Sequence, residues 1–118
     1  MEGSCHCGAI RFEAPVPTRV TQCNCSYCDR TGALWAYCAP DELTLLTPAA
    51  AVSTYRFGRG VVEHHYCAAC GLPTHQHSPD FTTGAPDFDH PKAGYNVRMM
   101  RDLDRSTLTV ETLDGAQY

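Results

Sequence analysis

Cys5-His6-Cys7-Gly8 and Cys67-Ala68-Ala69-Cys70-Gly71 are two versions of one short device, a pair of cysteines closed by a glycine. A glycine directly after the second cysteine lets the backbone turn with positive φ, and the turn aims amide N–H groups at the sulfurs. Each such knuckle supplies two ligands, and two knuckles make a tetrahedron of four thiolates around a metal ion. Sixty residues separate Cys7 from Cys67, so an ion shared by the two pairs closes most of the chain into one loop and couples metal binding to folding. Zinc is the expected ion. Iron also accepts four thiolates, but nothing in the sequence points to electron transfer.

Around the knuckles the pattern is that of strands. "AIRFEA" sets Ile10 and Phe12 against Arg11 and Glu13, and "VSTYRF", "VVEHHYC", "YNVRMM" and "STLTVETL" alternate in the same way. Turn-rich stretches separate them: "APVPT", "TPAA", "FGRG" and the long "SPDFTTGAPDFDHPKAG", which reads as a loop. Helical signals are confined to single turns at "CSYCDRTG", where Ser26 or Asp29 can cap backbone N–H groups, and at "PAAAVSTY". The expected class is mainly β. A chain of 118 residues without repeat, linker or low-complexity tract is read as one domain, residues 1–118, with one modest core.

Nine basic residues against thirteen acidic ones give a formal charge of -4, and the arginines and the lysine are dispersed. No basic patch invites a phosphate backbone, so nucleic acid is not an expected partner. No segment approaches the roughly 20 apolar residues of a membrane span, and "MEGSCHCGAIRF" does not resemble a leader, so a cytoplasmic protein is expected. Eight cysteines in a reducing compartment point to metal ligation rather than to disulfides.

A third cysteine group, Cys23-x-Cys25-x2-Cys28, breaks the knuckle pattern. It offers three thiolates and no trailing glycine, and three protein ligands with an exchangeable fourth position distinguish catalytic zinc from structural zinc. The competing reading closes the tetrahedron with Cys38, His6, His64, His65, His75, His77 or His90 and leaves a second inert clip. The protein would then be a non-catalytic interaction module with two closed zinc sites. His75 and His77 share a face of "THQH", where a further metal site is conceivable but an exposed strand face is the plainer expectation. Cys38, among apolar residues, reads as a small buried hydrophobe. Trp35 and Tyr37 read as core or pocket wall.

"GSCHCGAIRFEA", "QCNCSYCDRTGA", "EHHYCAACG" and "YNVRMMRDLDRSTLTVETLDG" together resemble, in order, the glutathione-dependent formaldehyde-activating enzyme family, whose domain also occurs in centromere protein V. The resemblance implies a compact, zinc-bound β-sheet domain of the Rab-exchange-factor-like superfamily with two zinc ions. It implies that Cys5, Cys7, Cys67 and Cys70 match the family's structural site, and Cys23, Cys25 and Cys28 its catalytic one. The activity implied is that of a carbon–sulfur lyase, which joins glutathione to formaldehyde as S-(hydroxymethyl)glutathione. The expected partners are therefore a small-molecule thiol and a small aldehyde.

A zinc ion among three thiolates is a weak Lewis acid and better suited to holding a thiol as thiolate than to making hydroxide. The aldehyde oxygen then needs a proton donor, for which Tyr27 and Ser26 inside the cysteine loop and His64 and His65 before Cys67 are candidates. One of two adjacent strand histidines is ordinarily exposed. Arg30, two residues past Cys28, is the nearest cation to clamp a carboxylate of glutathione, with Arg56, Arg59 and Arg98 as further possibilities.

Overall fold

The computed structural model describes residues 1–81 and 84–115. Ten strands build two sheets. The first three in the chain are β1 (Glu2–Ser4), β2 (Arg11–Glu13) and β3 (Arg19–Cys23). After α1 (Ser26–Thr31), the one α-helix among the described residues, come β4 (Trp35–Cys38), β5 (Thr44–Leu45) and β6 (Val52–Tyr55). The last four are β7 (Glu63–Cys67), β8 (Pro73–Asp80), β9 (Asp87–Asn96) and β10 (Thr109–Leu113). The small sheet has the order β1-β2-β5, and the large one β10-β3-β4-β9-β8-β7-β6. All pairings are antiparallel except that of β10 with β3.

Alternation divides the large sheet into two working faces. Val20, Ala36 and Tyr95 point toward the small sheet and form the main core with Phe12, Ala14, Val97 and Met100. Phe12 meets Tyr95 edge-on, ring centroids 6.4 Å apart. The opposite face carries Trp35, which packs with Cys28 and Ala33 beneath α1. The mainly β expectation holds, and Phe12 is buried between exposed Arg11 and Glu13 as the alternation requires.

Three boundaries differ from the sequence reading. The stretch read as a long loop is largely the β8–β9 pair. Pro79 and Pro91, which argued for a loop, both fall where the register shifts between Ser78 and Asp80, so neither removes a regular ladder bond. "YNVRMM" leaves the sheet after Asn96, whose side chain caps the 3-10 turn Val97–Met99. "STLTVETL" begins as another such turn, Arg105–Thr107, capped by Asp104.

Candidate metal centres

The two knuckles adopt the expected backbone. Gly8 and Gly71 have φ of 81° and 82°. Ile10 donates its amide to Cys5 Sγ at 3.3 Å, and Cys70 donates to Cys67 Sγ at 3.4 Å. The four sulfurs of Cys5, Cys7, Cys67 and Cys70 all lie within 4.8 Å of one another. A tetrahedral ion with bonds of about 2.3 Å to sulfur sets its ligands about 3.8 Å apart. The observed separations are 3.8 Å for Cys5–Cys7 and 3.6 Å for Cys7–Cys67. The geometry and the soft donor set fit one zinc-class ion. Backbone N–H groups, that of Leu72 foremost, draw the Cys70 thiol down to about 6, toward the thiolate a metal needs. The first knuckle joins β1 to β2 and the second joins β7 to β8, so the cluster pins the small sheet to the large one.

The sulfurs of Cys23, Cys25 and Cys28 form a second cluster within the same 4.8 Å limit. Its scaffold is α1. Cys25 is the N-cap residue, and its Sγ, not a Ser26 or Asp29 oxygen, accepts the Cys28 amide at 3.3 Å. Cys25 in turn donates its N–H to Cys23 Sγ at 3.4 Å, and the Trp35 indole N–H donates to Cys28 Sγ at 3.3 Å. Donors aimed at all three sulfurs favour thiolates. The hydrogen bond between Cys23 and Cys28 makes one proton serve both thiols, lowering Cys23 to about 6 and raising Cys28. The chain just beyond the parallel strand β10 closes the other side: a Cβ on Gly115 would stand 2.2 Å from Cys23 Sγ, so only glycine fits there without a shift. The residues present fit a thiolate-bound ion of the zinc class.

Among the described residues no histidine, carboxylate or further cysteine joins this triplet, so none of the proposed closing ligands, Cys38 and the six histidines, makes it a four-ligand clip. An aromatic wall rises beside it instead. Tyr27, on α1 between two of the cysteines, lies 4.2 Å from the His64 ring, 5.6 Å from Phe57 and 5.9 Å from Tyr55, centroid to centroid. The β6–β7 hairpin supplies the last three. Burial first, then the negative charge of Cys28, raises the Tyr27 hydroxyl above its usual range and keeps it protonated. Burial pushes His64 down to about 4, and its Nδ1 is buried with no hydrogen-bond partner among the described residues. On the sheet floor, Gln76 packs beneath Gly94 and faces Tyr37. A cleft of about 410 Å³ between α1 and β10 reaches Cys23 past Gln22, Asn24, Asp29 and Asp114.

A model described as glutathione-dependent formaldehyde-activating enzyme matches residues 1–86. The chain belongs to that family. All seven clustered cysteines fall inside the matched region, whereas β10 and Gly115 lie beyond it. A protein of Halomonas elongata that carries the family's name is 33% identical over 128 residues, covering 95% of this chain and 82% of its own. The crystal structure of a Rhodobacter sphaeroides protein superposes with a TM-score of 0.73 and 26% identity, over 94% of this chain and 100% of that one.

Within this formaldehyde-activating fold, the residues singled out from sequence separate into two groups. Tyr27 and His64 stand at the triplet, and Arg30 is close by, because its Nη1 reaches back along α1 to the Ser26 carbonyl at 2.8 Å. Arg98 binds the Gly32 carbonyl at 2.6 Å at the far end of α1, and Arg56 pairs with Glu63 at 2.9 Å. His64 and His65 are both buried, one toward each face of the sheet, against the expectation that one would be exposed. His75 is buried too, its ring tilted against those of His65 and Phe12, so "THQH" is no exposed face. Cys38 is half-buried at the margin of the main core rather than within it. Trp35 is core, while Tyr37 is 41% exposed. Gly115 had no signal in the sequence beyond its place in "ETLDG".

Proposed function

We propose that this family member joins a thiol, glutathione or one like it, to formaldehyde or another small aldehyde, a carbon–sulfur-lyase-type reaction in its reverse sense. The observation that carries the reading is the triplet of Cys23, Cys25 and Cys28, three inward-facing sulfurs with no fourth protein ligand among the described residues. Zinc bound there would supply a coordination position that keeps an incoming thiol as thiolate at neutral pH. Cys5, Cys7, Cys67 and Cys70 would hold the second zinc as a structural clip.

This chain's own residues divide the remaining work. Addition forms the carbon–sulfur bond, moves the carbonyl π electrons onto oxygen and leaves an alkoxide that must take up one proton. In this reading Tyr27, whose hydroxyl stays protonated, donates that proton, and the neutral His64 ring packs against it. Tyr55 and Phe57 shield the same side from water. Arg30, held at the first turn of α1, is the cation available to a substrate carboxylate.

Exchange of formaldehyde between free and glutathione-bound forms, followed by magnetization-transfer NMR at equilibrium, tests this against the spontaneous reaction. The expected result is acceleration by the zinc-loaded protein, reduced about 10²-fold by Tyr27→Phe, the scale of losing one oxyanion donor. Rates equal to the uncatalysed ones with both cysteine sites loaded would sink the catalytic reading and favour the interaction module, with Tyr55 and Phe57 as its exposed face.

A further inference from the structure

We propose that Glu63, His65 and His77 form a third metal site, for one divalent ion of the zinc–cobalt–nickel class, on the face of the large sheet opposite to the cysteine triplet. Their ligand atoms all lie within 4.8 Å of one another. The register creates the arrangement: Glu63 and His65 are two apart on β7 and share a face, and His77 on β8 stands directly across from Glu63. Such pairing holds three donors on rigid backbone.

The hydrogen bonds orient the donors inward. Thr54 Oγ1 engages His65 Nδ1 at 2.8 Å, and with the proton on Nδ1 the Nε2 lone pair is turned toward His77. That Nε2 shares a hydrogen bond with His77 Nδ1 at 2.8 Å, whose proton a bound ion would displace, and stands 3.7 Å from Glu63 Oε2. A tetrahedral ion with bonds of about 2.0 Å to nitrogen and oxygen places its ligands about 3.3 Å apart, between the two observed values. Arg56 takes the other carboxylate oxygen at 2.9 Å, so Oε2 is the one turned to the histidines. His75 packs 4.6 Å from the His65 ring, but its own Nδ1 is committed to Thr74 Oγ1 at 2.8 Å, and it serves as a wall.

Two imidazoles and a carboxylate form a donor set unlike either cysteine cluster, without sulfur and with a coordination position left over. Entry is open through Glu63, whose side chain is 40% exposed. The site is independent of the reaction proposed for the cysteine triplet.

Cobalt(II) titration of the purified protein separates the sites, because thiolate-bound cobalt absorbs intensely by sulfur-to-metal charge transfer and a nitrogen–oxygen site shows weak d–d bands alone. Metal at the cysteines is fixed beforehand by elemental analysis. One equivalent is expected to bind with d–d bands and no added charge transfer. His77→Ala should abolish that uptake and Glu63→Gln should weaken it at least about tenfold, the metal at the cysteines remaining. Glu63→Gln alters an exposed side chain, so it keeps the test sound even if His77→Ala disturbs the sheet. No uptake, uptake with charge transfer only, or uptake unchanged in Glu63→Gln would overturn the site.

Discussion

Gly115, two residues past the end of β10, lies so near Cys23 that a Cβ there would meet its Sγ, and a single methyl at this position tests how the triplet is built. Gly115→Ala puts a carbon 2.2 Å from that sulfur, a distance no real contact tolerates, so Cys23 must turn out of the cluster. If both cysteine clusters are loaded in the parent, elemental analysis of the variant should find one ion fewer per chain, with the four-cysteine site intact. The three cysteines themselves were legible because ligands close in sequence need little tertiary structure to meet, and the spacing alone marked them. Gly115 was not, because its role arises only when β10 pairs with β3. The helix cap was misread for a related reason: Ser26 and Asp29 are the usual capping chemistry, but the Cys25 sulfur sits one position earlier and takes the bond.

At the scale of elements, β8 and β9 carry the largest departure from the sequence reading and also the floor of the candidate site. Three prolines and several turn formers argued for a loop, but local propensity lost to pairing, since Pro79 and Pro91 lie at the irregular stretch of the β8–β9 ladder and Pro86 in the connection before β9. Where alternation was strong, as at β2 and β7, the strands fell as expected, but the buried histidines on β7 and β8 were missed because burial of a polar face depends on neighbouring strands. Within this pair, Gly94 gives Gln76 the room it needs, and an added Cβ would meet Gln76 Cγ at 2.7 Å. Gly94→Ala should therefore cost about 1–3 kcal/mol in urea unfolding. Adding Gln76→Ala should return part of that loss, because the two changes share one contact and cannot be additive.

For the whole molecule, the two cysteine clusters should fail differently. Cys67 is fully buried at the junction of the two sheets and is linked through the cluster to the loop that connects β1 to β2. Cys67→Ser should abolish cooperative unfolding and leave the chain without sheet structure by circular dichroism, since the metal's binding energy is here folding energy. Cys25→Ser should release one ion and keep the sheet spectrum, with only α1 loosened. Equal loss of structure in both variants would argue against one clip and one working site.

The clip also sets an order of events during synthesis. Cys5 and Cys7 leave the ribosome sixty residues before Cys67. At about 5–20 residues per second, the first pair waits roughly 3–12 s as a half-site that two thiols alone hold weakly. Through that interval the nascent chain exposes neighbouring thiols to any oxidant or stray soft metal, and a disulfide or a copper ion captured then would block the tetrahedron that joins the sheets. A growing cell under oxidative or copper stress would thus lose newly made copies first, while in molecules already folded Cys5 and Cys67 are buried and the four sulfurs already face one another.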